Sequence, residues 1–223
     1  MCIGLAQLGY QVAVNYVARR DAALHPVALI EQQGGVAQAF GADVSRADGA
    51  ERLVAEVQTA LGPIAVLVNN AGIGPPSDPF PLTPAGWPQV MAANLDSAFF
   101  VTRAVIPGMR ERRHGRLVFL SSGAAHTGGV LSAAYAASKA GVERMMHYYA
   151  SHLLRYQITS NAIAPAFIES DMTASSAVYG NAASMPLARM GRAEEAANVL
   201  RLIVTTEYIT GQTIHVNTGR YQT

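Results

Sequence analysis

Short apolar runs alternate with helix-length amphipathic stretches along most of the 223 residues, and that alternation leaves few folds open to the chain. Residues 11–16, 36–40, 63–68, 116–122, 158–164 and 213–216 read as strands. Residues 21–33, 46–61, 84–111, 133–155 and 193–204 read as helices, and an earlier helix stops at Gly9. Several strand runs are continuously apolar rather than alternating, as expected where helices cover both faces. The pattern predicts an α/β fold, a doubly wound parallel sheet in one domain spanning 1–223. With 50% of residues hydrophobic and 14% charged, the chain can fill such a core.

Charge and cysteine content narrow the function classes. Sixteen Lys and Arg stand against fifteen Asp and Glu, a formal charge of +1, which gives no footing for nucleic acid. The densest basic run, residues 110–116, reads as a solvated helix end or as a patch attracting an acidic carrier. Cys2 is the only cysteine, so neither an internal disulfide nor a Cys-based zinc site is expected, and no metal site is predicted. No apolar run approaches the ~20 residues that span a bilayer, and no signal-peptide pattern opens the chain. A cytoplasmic protein without a membrane partner is expected.

The candidate chemistry lies in Ser132-Ala-Ala-Tyr-Ala-Ala-Ser-Lys-Ala-Gly, with Ser122 and Asn94 upstream. Tyr135 and Lys139 are four apart, hence one turn apart on one helix face. A free phenol titrates near about 10, and a neighbouring ammonium favours the phenolate, so Lys139 is expected to lower the Tyr135 pKa. Ser122 ends an apolar strand, where open α/β sheets place ligand sites, and its hydroxyl can hold a carbonyl oxygen while Tyr135 protonates it. Tyr-x-x-x-Lys alone is common on helices that do no chemistry. Its company gives it meaning here.

Asn69-Asn-Ala-Gly72, Asn94, Ser122, Tyr135-x-x-x-Lys139 and Asn161-Ala-Ile-Ala-Pro165 occur in an order and spacing that resembles the short-chain dehydrogenase/reductase family. The resemblance covers nearly the whole chain and is nearest to the bacterial 3-oxoacyl-[acyl-carrier-protein] reductases. It implies a Rossmann-like fold and NAD(P)H-dependent reduction of a ketone, or the reverse. Ser122 would polarise the carbonyl, Tyr135 donate the proton, Lys139 tune Tyr135 and bind the nicotinamide ribose, and Asn94 help hold a water chain. Ser121 competes for the serine role, but the thirteen-residue spacing to Tyr135 favours Ser122. For the cofactor the resemblance implies Asp43 and Val44 beside adenine, Asn69, Ala71 and Gly72 beside the ribose, and Tyr135, Lys139, Pro165 and Ile168 towards nicotinamide. The discriminating position falls near Asn15 and Tyr16, followed by Arg19 and Arg20. A missing carboxylate with a guanidinium nearby favours NADP(H) over NAD(H), since Arg grips phosphate through parallel hydrogen bonds.

One part of the family pattern is missing from the sequence: its first strand and Gly-rich phosphate loop, roughly 20 residues in all. Residues 3–9 align with the latter half of the helix that follows that loop. The first strand lies mid-sheet in this fold, so two strand edges are expected to stand open and cofactor binding to be weak. The substrate-covering segment 171–185 looks short. Helix 133–155 is expected to pair subunits into a homodimer or homotetramer. Two alternatives stand beside the ketone reductase: alcohol, sugar or steroid oxidation by the same machinery, and a non-catalytic subunit of the same fold.

Overall fold

The computed structural model describes residues 1–75, 84, 86–170 and 186–220. The chain runs α1 (Cys2–Ala6), β1 (Val12–Tyr16), α2 (Arg20–Gln32), β2 (Ala37–Gly41), α3 (Ala47–Leu61), β3 (Val66–Asn69), α4 (Gly86–Met91), a π-helical turn (Ala92–Asp96) and α5 (Ser97–Arg112). It continues through β4 (Gly115–Leu120), α6 (Ala124–Thr127), α7 (Ala133–Leu153), a 3-10 turn (Leu154–Tyr156), β5 (Ile158–Pro165), α8 (Ala193–Thr205) and β6 (Thr213–Val216). The expected strands and helices all form, with ends shifted by a few residues. Segment 171–185, expected to be a short lid, lies outside the described residues.

Every residue of β4 is buried, and the period of two sorts its side chains between two cores. Leu117 and Phe119 join α3, α5 and α7 residues such as Leu53, Val101 and Met146. Val118 and Leu120 face the other way, onto Leu200, Ile203 and Val204 of α8. A third cluster packs Val27 and Ile30 of α2, with Ile3 and Leu5 of α1, against β1 and β2. Helices thus cover both faces, which is why β4 and nearly all of β5 are buried on both sides. Burying a side chain such as Phe119 or Leu117 contributes about 1.5–3 kcal/mol by transfer alone.

All strand pairings are parallel, but they form two sheets: β1 with β2, and β3-β4-β5-β6. Val12 donates to the Val36 carbonyl and the Tyr16 carbonyl accepts from Ala42, so Ala13 and Asn15 turn their backbone groups away from β2. Arg116 donates to the Ala65 carbonyl, so Val66 and Val68 turn theirs away from β4. Residues 12–15 and 66–69 line one continuous cavity, which separates the two edges. The two edges expected from the sequence to stand open face that cavity.

Two helices bridge the seam from opposite sides. On one, α3 packs on β1, β2 and α5; on the other, α1 packs on β1, α2 and α8. The carboxyl ends of β3, β4 and β5, aligned by their parallel register, deliver Asn69, Ser121 and Pro165 to one rim.

Candidate active site

Ser132 starts α7 by accepting a hydrogen bond from the Tyr135 amide at 3.2 Å, an N-cap that fixes where the helical face begins. Tyr135 and Lys139 then fall on one stripe, facing the end of β4. The Lys139 Nζ donates to the Leu120 carbonyl at 2.7 Å and sits 5.8 Å from the Tyr135 ring centroid. Ser122 Oγ accepts from the Ala124 amide at 3.2 Å and hydrogen-bonds the Tyr135 phenol. The three side chains that sequence alone paired as a proton-delivery group are thus in one place.

The electrostatics differ from the expectation. Burial raises the Tyr135 pKa above its usual 10.0, with the Ser122 hydrogen bond pulling the other way. Burial also lowers Lys139 from 10.5 to about 8. The ammonium is directed at the Leu120 carbonyl, and in this arrangement desolvation outweighs any help it gives the phenolate.

Asn94 sits inside the π-helical turn, buried to 1% exposure. A helical insertion of this kind re-aims a side chain. Its Oδ1 accepts from the Ile73 amide at 2.7 Å, and its Nδ2 donates to the Ile73 carbonyl and to Ser138 Oγ, each at 3.0 Å. Asn94 thereby ties the Asn69–Gly72 loop to α7 from behind the cavity wall. Gly72 is held close in consequence: a Cβ there would lie 3.1 Å from Asn94 Oδ1 and 3.6 Å from Lys139 Nζ.

A cavity of about 1390 Å³ runs along this rim and on between β1 and β3. Its wall includes Asn15, Arg19, Val44, Asn69, Ala71, Gly72, Ser122, Tyr135, Lys139, Pro165 and Ile168. Three expected residues lie off the wall. Tyr16 packs its ring over Gly41, Asp43 turns its carboxylate back onto the Ser45 amide and hydroxyl at 3.0 and 2.6 Å, and Asn94 works from behind. Asn15, although on the wall, spends its amide on the Phe40 and Ala42 carbonyls at 3.1 and 3.0 Å. Beside the end of β1 the wall carries Arg19; among the described lining residues the one carboxylate is Glu169, past β5.

Asn161, read from sequence as part of a motif, is a strut: Nδ2 donates to the Ile209 carbonyl at 2.9 Å and Oδ1 accepts from the Gln212 amide at 3.1 Å. The basic run 110–116 lies at the amino end of β4, the opposite end of the sheet from Ser122. Its Arg116 is buried and paired with Glu207 at 2.7 Å. The patch reading of that run therefore gives no surface beside the site. Among the described residues no trio of His, Cys, Asp or Glu is set to hold a metal, and no helix is long and apolar enough to cross a membrane.

The family model described as enoyl-(acyl carrier protein) reductase matches residues 1–220. The 3-oxoacyl-[acyl-carrier-protein] reductase FabG of Staphylococcus epidermidis is 36% identical over 99% of this chain and 93% of its own length. The chain belongs to the short-chain dehydrogenase/reductase family. The 3-oxoacyl-[acyl-carrier-protein] reductase of Synechocystis is 37% identical to this short-chain dehydrogenase/reductase over 97% of the chain and 89% of its own length. A gluconate 5-dehydrogenase of Burkholderia cenocepacia, solved with NADP and tartrate, superposes with a TM-score of 0.88 at 26% identity, covering 98% and 88% of the two chains.

Two residues at the site escaped the sequence reading. Ser138 is buried, receives Asn94, and donates to the Tyr135 carbonyl at 2.8 Å. Glu143, 1% exposed, accepts from Ser121 Oγ at 2.6 Å and faces His126 Nε2 at 2.9 Å. The available signal was spacing: 135, 139 and 143 step along one helical stripe, so a charged side chain at the third position points where the first two do.

Proposed function

We propose that this short-chain dehydrogenase/reductase is an NADPH-dependent ketone reductase acting on 3-oxoacyl thioesters borne by an acyl carrier protein. The observation that carries the reading is Ser122, Tyr135 and Lys139 converging on one cavity rim beside the glycine at position 72. Ser122 holds the substrate oxygen, and Tyr135 hands it a proton as the adjoining carbon accepts hydride. Lys139 stands behind the phenol, and Asn94 keeps the Gly72 loop at its distance from α7.

The residues on the wall fit a nicotinamide dinucleotide. Gly72 lets the loop lie close against Asn94, where a methyl group would stand 3.1 Å from Oδ1, and the Arg19 guanidinium at the end of β1 suits a 2′-phosphate. Arg19 and Val44 would hold the adenosine end, Asn69, Ala71 and Gly72 the middle, and Tyr135, Lys139, Pro165 and Ile168 the nicotinamide end. The cofactor supplies hydride when bound. A cytoplasmic setting and assembly into a homodimer or homotetramer belong to the same proposal, supported by likeness to the carrier-protein reductases.

A second reading, oxidation of a sugar acid, is favoured by the likeness to the gluconate dehydrogenase. The full chain is assayed with NADPH and an acetoacetyl thioester, then with NADP+ and gluconate, each beside Tyr135→Phe. Thioester reduction that falls about 10²–10⁴-fold in Tyr135→Phe is expected. Gluconate turnover alone moves the assignment to the second reading, and activity indifferent to the substitution removes both.

A further inference from the structure

Ser122 sits on a short connection between β4 and α7, and something must hold that connection at a fixed distance from Tyr135. Its own backbone bonds run sideways, to β5: the Ser121 amide donates to the Ile163 carbonyl at 2.8 Å and the Gly123 amide to Pro165 at 3.0 Å. Its links to α7 are the Lys139 ammonium on the Leu120 carbonyl at 2.7 Å, a long contact of Ser121 Oγ to the Lys139 carbonyl at 3.4 Å, and one carboxylate that reaches both sides of Ser122. Glu143 Oε1 accepts from Ser121 Oγ at 2.6 Å, on the near side of Ser122, and Oε2 lies 2.9 Å from His126 Nε2, on the far side. Residues 121 and 126 bracket Ser122, and Glu143 lies two turns along α7 from Tyr135 on the same stripe.

A carboxylate with 1% exposure has no bulk water to satisfy it and depends on these donors. The other titratable groups near it among the described residues are Arg144, the next residue of α7, with Nη2 at 4.0 Å, and His215 of β6, whose ring centroid is 5.0 Å from that of His126 and whose burial favours the neutral ring. Lys139, one turn away, is turned to Leu120.

We propose that Glu143 and His126 are positioning residues for the reaction, a buried clamp that fixes the Ser122 hydroxyl against the Tyr135 phenol. Neither touches substrate or cofactor. Releasing the clamp loosens α6 and the Ser121–Gly123 turn against α7, so the Ser122–Tyr135 hydrogen bond loosens while the cofactor wall formed by β1, β3 and β5 stays in place. This rests on the ketone-reductase reading for its consequence but not for its geometry, and the test separates the two.

His126→Ala removes the donor, and His126→Gln returns an N–H near the position of Nε2. Each is compared with wild type for thioester reduction, NADPH affinity by fluorescence, and the alkaline titration of the phenol, followed by ultraviolet absorbance. Tyr135 is isolated from the nine tyrosines by subtracting the Tyr135→Phe curve. The expected result is a kcat lowered about tenfold or more in His126→Ala, NADPH affinity within about twofold, and recovery to within about threefold in His126→Gln. The Tyr135 titration moves further to alkaline pH in His126→Ala, because the Ser122 bond that opposes the rise is weakened. An unmoved phenol titration overturns the clamp, and so does a loss of NADPH affinity equal to the loss of kcat. An inactive wild type whose phenol titration still responds to His126→Ala refutes the ketone-reductase reading and leaves the clamp standing.

Discussion

At the residue scale the site is governed by burial more than by charge pairing. Lys139 falls from 10.5 to about 8 because the protein around it gives its ammonium too little solvation. In the window between about 8 and 10.5 the unfolded chain still holds a proton that the folded chain has released, so this group makes folding more favourable as pH rises. Denaturant melts at intervals across that window should therefore show wild type gaining stability relative to Lys139→Met, and parallel pH profiles would contradict the assignment. Gly72→Ala tests the packing beside it. A methyl group 3.1 Å from Asn94 Oδ1 must push the loop or the π turn aside, at about 1–3 kcal/mol and with a lower kcat. A variant as stable and active as wild type would mean that the loop yields freely.

At the element scale, the seam gives each strand a distinct signature. The amides of Ala13, Asn15, Val66 and Val68 point into the cavity, whereas β4 and β5 are paired on both edges. Hydrogen exchange should be at least about 10²-fold faster at those four positions than at Val118 and Ile163, and uniform protection would show the edges closed. The strands and helices were legible because their apolar periods are local properties of the sequence, and the separation of the two sheets because no run in residues 1–223 matches the strand that the family places between them. Ser122, Tyr135 and Lys139 were legible through their joint spacing. Three things were not. The π turn around Asn94 carries no compositional mark. The direction of the Tyr135 shift depends on how deeply α7 is buried, which sequence does not give. Asp43 was assigned to adenine, but a short acidic side chain at a turn satisfies its own backbone first, here at Ser45.

At the scale of the whole molecule, α7 divides its residues between an inner and an outer face. Ala134, Met146 and Tyr149 pack inward, while Ala133, Ala137 and Tyr148 face out, with Tyr148 59% exposed. Phe99 of α5 is likewise 45% exposed. Apolar surface on two long helices is what a helix-to-helix subunit contact requires. Light scattering coupled to size exclusion should return a dimer or tetramer, with Tyr148→Glu shifting it towards monomer. A wild-type monomer at tens of micromolar would end that expectation.

The two sheets behave as leaves of a hinged book whose binding is helical. Because α3 and α1 strap the leaf carrying Arg19 to the leaf carrying Ser122, side-chain packing under those straps helps set the reach from one end of a dinucleotide to the other. Loosening Leu53 or Val57 would thus be felt as a change in how far apart the two ends of the cofactor are held, long before any strand came undone.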